Sequence, residues 1–222
     1  MSLFITFEGV EGSGKTTQIQ RLKRYLTRKG FLCKVTREPG GTPISEKIRK
    51  ILLDPDHRDL IPLSELFLYE AARAQHIHEV ITPLLKRGVV VLCDRFSDAT
   101  LAYQGYGRKL DQNLIRKLNR LASRGIKPDL TFLLDCPSDL GLKRALQRNQ
   151  ISKNEKEGRF EKEKIQFHHR VRKGYLTIAK KEPKRVKLID TRVGEEKVFE
   201  RIRRTVDELL TRSHQSHSRL VL

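Results

Sequence analysis

Short apolar runs alternate with amphipathic stretches along the chain. Residues 3–7 (Leu-Phe-Ile-Thr-Phe) read as a strand, and residues 15–29 as a helix in which Ile19, Leu22 and Leu26 recur at helical spacing before Gly30. Residues 31–35 are a second strand. Thr42-Pro43 opens a helix expected to bury Ile44, Ile48, Ile51 and Leu52. A long helical pattern follows over 64–86, with Ser64 as a candidate cap, Pro83 as a kink and Gly88 as the stop. Continuous apolar runs at 89–93 and 130–134 have the character of strands buried on both faces. Helices are predicted over 111–124, 138–148 (capped by Ser138 or Asp139), 164–181 and 195–210. A last strand lies at 186–189, and 211–222 is expected to be a frayed tail. Strands alternating with helices imply an α/β fold: a parallel five-stranded sheet flanked by helices on both faces. No repeat or linker divides the pattern, so residues 1–211 are expected to form one domain.

Composition narrows the function classes. No apolar run reaches the 18 or so residues that span a bilayer, and the first eight residues lack a basic, cleavable leader. Membrane association is therefore not expected, and a cytoplasmic location is. Three cysteines, Cys33, Cys93 and Cys136, include no CxxC pair, which argues against a disulfide framework or a zinc site. The net charge of +19 suits anionic ligands of many kinds. Much of it lies between Lys143 and Lys187, on stretches that read as solvated surface. With aromatics at 6% and no Trp, there is little material for stacking bases. Nucleic acid is not the expected partner.

One motif carries defined chemistry. Gly9-Val10-Glu11-Gly12-Ser13-Gly14-Lys15-Thr16 fits G-x-x-x-x-G-K-[ST] between an apolar strand and an amphipathic helix. Such a loop turns successive N–H groups inward and adds a helix N-terminus, so it cradles phosphates. Residues 9–17, ending at Thr17, are the candidate ATP-binding segment. Lys15 is placed to reach the β- and γ-phosphates and Thr16 to bind Mg²⁺. Asp94, directly after the 89–93 strand, is the candidate carboxylate for that ion; Asp135 ends a similar run and competes with it.

Further motifs give the sequence a specific likeness. Thr36-Arg37-Glu38-Pro39-Gly40-Gly41-Thr42, Glu70-Ala71-Ala72-Arg73-Ala74-Gln75-His76, Asp94-Arg95-Phe96 and Ala102-Tyr103-Gln104-Gly105 follow the phosphate loop in order. Together, over residues 3–210, the chain resembles the bacterial thymidylate kinases. The resemblance implies transfer of phosphate from ATP to dTMP with Mg²⁺, a homodimer, and a mobile lid over about 148–163. It assigns Arg95 to the acceptor phosphate, Arg73 to the monophosphate or base, and Tyr69 to stacking on thymine where the family usually has Phe. Glu11 is implied near the 3′-hydroxyl and Tyr103 against the 2′ position. Thr100 and Gln104 are candidates for the base edge, Pro39 for the pocket wall, and Arg49 for the acceptor phosphate.

Transfer also needs positive charge on the migrating phosphoryl group. Some relatives supply it from an arginine inside the phosphate loop; Gly12 stands at that position here. Arg148 and Arg159 are therefore the candidate catalytic arginines, alongside Lys15 and Arg95, with Glu161 as a positioning partner. The family's Asp-Arg-Phe-Glu appears as Gly158-Arg159-Phe160-Glu161, after a longer insert. Two other readings compete: a nucleoside monophosphate kinase for another base, and a nucleic-acid-stimulated ATPase using the basic surface.

Overall fold

The structure, a computed structural model, describes residues 2–152 and 158–218. Five strands, β1 (Leu3–Glu8), β2 (Cys33–Arg37), β3 (Val90–Asp94), β4 (Leu130–Asp135) and β5 (Val186–Asp190), form one all-parallel sheet in the order β2-β3-β1-β4-β5. Alternating strand side chains feed the two faces. On one, Ile5, Phe7, Phe132 and Leu134 pack against α1 (Lys15–Arg28) and α9 (Glu195–Ser218) through Leu22, Leu26, Ile202 and Val206. On the other, Leu133 packs with Val171 and Tyr175 of α8 (Ile165–Lys181), while Phe4, Val91 and Cys93 meet Ile77 and Ile81. Burial at this scale, at about 25 cal/mol per Å² of apolar surface, is what orders a sheet covered on both sides.

Between β2 and β3 the chain makes α2 (Pro43–Leu53), α3 (Pro62–His76) and α4 (Thr82–Lys86). Thr42 caps α2, its Oγ1 accepting from the Ser45 N–H at 3.1 Å. The expected face of α2 is only partly right. Leu52 is buried, but Ile44 and Ile51 are 51% and 43% exposed, and Ser45 takes the inner position by donating to the Ala72 carbonyl of α3. The long helix starts at Pro62 rather than at a Ser64 cap, and it runs to Lys86 through a π-helical turn over Ile77–Ile81. That wide turn lies just ahead of Pro83, where the ring excludes an ordinary i→i−4 bond.

After β3, a short α5 (Ser97–Thr100) passes into a second π-helical stretch, Leu101–Gly107, which the sequence pattern did not mark. Then come α6 (Gln112–Ala122), capped by Asp111, and α7 (Ser138–Ser152). α9 runs on to Ser218, past the expected start of the tail. Of the expected lid, residues 153–157 lie outside the described residues, as do 219–222 of the tail. Among the described residues, no helix is long and apolar enough to cross a membrane.

Candidate active site

The carboxyl ends of β1, β2 and β3 open into a cleft of about 640 Å³. Its floor is the phosphate loop. Gly9 has φ +141°, and a Cβ there would stand 2.4 Å from the Leu134 carbonyl oxygen, so only glycine lets the loop leave β1 so close to β4. Gly12, at φ +66°, backs onto α7: a Cβ would meet the Gly141 carbonyl oxygen at 2.1 Å. The loop therefore cannot carry a side chain at position 12 without displacing α7.

Lys15 folds over the loop, its Nζ donating to the carbonyls of Gly9 (3.1 Å) and Val10 (3.0 Å) and to Ser13 Oγ (3.3 Å). Burial and the nearby Arg95 guanidinium push its ammonium down to about 8. The β1–β3 register sets Phe7 beside Asp94, which brings the Thr16 hydroxyl 3.3 Å from Asp94 Oδ2. Asp94 Oδ1 is buried with no hydrogen-bond partner among the described residues. A hydroxyl beside a carboxylate with a spare lone pair, at the mouth of a phosphate cradle, is a donor set that fits Mg²⁺. Asp135, the competing carboxylate, forms a bidentate pair with Arg172 at 2.7 and 2.9 Å and does not line the cleft.

Arg95 stands where floor meets wall. It adopts φ +69°, a left-handed backbone that few non-glycine residues take. Its Nη1 donates to the Gly9 carbonyl (2.9 Å) and to Tyr175 Oη (3.1 Å), and Nη2 to Glu11 Oε1 (3.3 Å). Tyr175 in turn donates to Glu8 Oε2 at 2.8 Å, and burial together with Asp98 raises the Glu8 carboxyl to about 8. Glu11 behaves oppositely. Burial alone would raise it, but the His168 ring, Arg95, the Tyr103 hydroxyl and Lys15 outweigh that and hold it at about 2.

The wall is built on α3. Arg73 is 1% exposed and spends its guanidinium on Glu38 (2.8 Å), Glu70 (3.0 Å), Asn119 (2.6 Å) and Thr100 (2.9 Å). Glu38 also accepts from or pairs with His76 Nδ1 at 3.0 Å, and His76 Nε2 meets Thr36 Oγ1 at 2.6 Å. Each buried charge is thus matched, the condition for ions in a low-dielectric interior. Arg49 donates to the Pro39 carbonyl at 3.0 Å, and Gln104 to Glu65 at 2.7 Å.

The cleft brings together most of the residues singled out from the sequence: 11–17, Pro39, Arg49, Tyr69, Arg73, Asp94, Arg95, Thr100, Tyr103, Gln104 and Arg148. Gly9 and Val10 lie beneath it and face it only through carbonyls bonded to Lys15 and Arg95. Arg159 does not belong to it. Its guanidinium donates to Glu65 (2.6 Å) and to the Leu52 carbonyl, and its N–H to Leu53 O, so it closes the end of α2 behind the wall. Arg144, one turn before Arg148 on α7, lines the cleft beside Gly12 and was missed. The i,i+4 spacing of these arginines was the available signal. Glu38 and Glu65 were also missed as partners of candidate residues, since nothing local marks them.

Comparison with known proteins agrees with this geometry. The thymidylate kinase family model matches residues 7–202. The chain is 53% identical over 210 residues to a thymidylate kinase of Syntrophotalea carbinolica, covering 95% of this chain and 97% of that one. It is 56% identical over 194 residues to one from Geotalea uraniireducens, covering 87% and 91%. Among solved structures, thymidylate kinase from Ehrlichia chaffeensis superposes with a TM-score of 0.74 at 36% identity, covering 93% of this chain and 98% of that one. The chain belongs to the thymidylate kinase family.

Proposed function

We propose that this protein phosphorylates dTMP to dTDP with ATP and Mg²⁺. The observation that carries the reading is the continuity of one cleft from the phosphate loop to the arginine-built wall, with Arg95 bonded to the loop's own Gly9 carbonyl. A donor phosphate on the loop and an acceptor phosphate on Arg95 then lie side by side. An oxygen of the dTMP phosphate attacks the γ-phosphorus, and the bond to the β–γ bridging oxygen breaks, leaving ADP.

The loop N–H groups and Lys15 bind the β- and γ-phosphates. Thr16 and Asp94 would hold Mg²⁺, whose charge neutralises phosphate oxygens. Arg95 orients the acceptor phosphate, with Arg49 behind it. Arg144 and Arg148 supply the positive charge that Gly12 cannot, taking the part expected of Arg159. Glu11, ionised across the physiological range, accepts from the 3′-hydroxyl, and Tyr103 closes the 2′ side. Tyr69 stacks on thymine; Arg73, Thr100 and Gln104 face the base edge, and Pro39 forms the wall. Residues 148–163 act as the lid that excludes water.

The protein acts as a homodimer in this reading. Support comes from apolar side chains left open on adjoining helices: Ile44 and Ile51 of α2, Leu63 and Phe67 of α3, Leu114 and Leu121 of α6. Light scattering should give twice the chain mass, and Phe67→Glu should give the monomer; a monomeric unaltered protein removes this part.

The enzymatic reading is tested by incubating the protein with ATP, Mg²⁺ and each nucleoside monophosphate separately. Production of dTDP, with little from dCMP, dGMP or AMP, is expected. Preference for another monophosphate would keep the kinase and discard the base-reading roles.

A further inference from the structure

We propose that Glu65 is a positioning residue for base selection, fixing the direction of the Gln104 amide jointly with the Arg159 anchor that follows α7. The inference rests on the dTMP reading above. Glu65 is 0% exposed on α3, four residues before Tyr69 and eight before Arg73, hence on the same face of the helix. Its Oε1 accepts from Gln104 Nε2 (2.7 Å) and Arg108 Nε (3.3 Å). Its Oε2 accepts from Arg108 Nη2 (3.1 Å) and Arg159 Nη2 (2.6 Å).

Both Glu65 oxygens act as acceptors, so Gln104 turns its NH₂ towards Glu65. The amide's carbonyl oxygen is left as its remaining acceptor, and nothing among the described residues donates to it. Gln104 lines the cleft. A thymine or uracil ring offers an N3–H donor, whereas cytosine offers a lone pair at N3. An amide fixed with its oxygen free accepts from the first and is mismatched to the second. Flipped, it would reverse that preference. Direction, rather than mere presence, of the glutamine is therefore what selects the base.

Two guanidiniums, those of Arg108 and Arg159, sit against the buried carboxyl group and compensate it. Arg159 is itself held by the last carbonyls of α2, at Leu52 and Leu53, where a helix C-terminus favours a cation. Arg108 reaches on to Glu163 at 2.6 Å. Both ends of the 158–163 segment thus converge on the group that aims Gln104. Loosening that segment should therefore blur base selection through Glu65.

The experiment measures kcat/KM for dTMP and dCMP in the unaltered protein, Glu65→Gln, Gln104→Ala and the double variant. Glu65→Gln should cut the dTMP/dCMP ratio roughly tenfold, the size of one lost oriented hydrogen bond. The double variant should lose no more selectivity than Gln104→Ala alone. A ratio unchanged in Glu65→Gln, or losses that multiply in the double variant, would overturn the inference while the parent reading stands. If the unaltered protein does not turn over dTMP, both fall together. Should Glu65→Gln fail to fold, Arg159→Gln serves instead. It is expected to lower the ratio several-fold and speed deuterium exchange across 158–163; an unchanged ratio sinks the coupling.

Discussion

The two halves of the cleft solve the same problem, holding phosphate and charge, in opposite ways. The floor uses backbone. Its donors are N–H groups of a glycine loop, and its few side chains, Lys15, Ser13 and Thr16, bond mainly within the loop or to Asp94. The wall uses pre-paired arginines: Arg73 with Glu38 and Glu70, and Arg95, where floor meets wall, with Glu11, while behind it Arg159 pairs with Glu65. A backbone cradle is made by local conformation and needs little support. A buried guanidinium is aimed only as well as the carboxylates that fix it. The floor is therefore suited to a phosphate chain common to many nucleotides, and the wall to one particular acceptor.

That contrast predicts different kinds of damage. Lys15→Ala should leave the fold intact and lower kcat by about a thousandfold or more, because it removes charge at the migrating phosphoryl group. Thermal unfolding beside single-turnover rates checks both halves of that statement. Arg73→Ala should do the reverse and strike stability first. It strands Glu38 and Glu70 in the interior, a loss of about 3–5 kcal/mol. Urea titration reads it, and a variant as stable as the parent would show that the wall is not held by paired charge. Arg144→Ala and Arg148→Ala should each lower kcat by roughly ten- to a hundredfold with little change in KM for dTMP. A rise in KM for dTMP alone would move these arginines to the acceptor side.

The smallest effect concerns protons. In the free protein Lys15 loses its proton as pH rises through about 8. Bound phosphate favours the charged form, so ATP binding above pH 8 should take up a proton and weaken with rising pH. Calorimetry in buffers of different ionisation enthalpy measures that uptake. No proton exchange near pH 8 to 9 would mean that Lys15 is already charged throughout.

The same contrast explains what the sequence revealed. The cradle was readable because all its parts sit within residues 9–17, and Asp94 because it ends an apolar strand. The five strands were readable from unbroken apolar runs. The partners of the wall were not, since Glu38 meets Arg73 from 35 residues away and Glu65 meets Arg159 from 94. Arg159 reads from the sequence as a candidate catalytic arginine because its carboxylate and the α2 carbonyls are brought to it only by the fold. The α2 misreading has a related origin. Periodicity alone cannot say which apolar stripe is inside, and Ser45 won the inner place through a hydrogen bond to α3, leaving Ile44 and Ile51 outside. The π-helical stretch around Tyr103 breaks the 3.6-residue period and so left no periodic trace.

Direct transfer between the two halves is the central claim, and ATP labelled in the γ-phosphate tests it most directly. With dTMP and Mg²⁺ present, the label should appear in dTDP, one for each ATP consumed, with no stimulation by DNA or RNA. Label released as inorganic phosphate, without dTDP and faster in the presence of nucleic acid, would contradict the account.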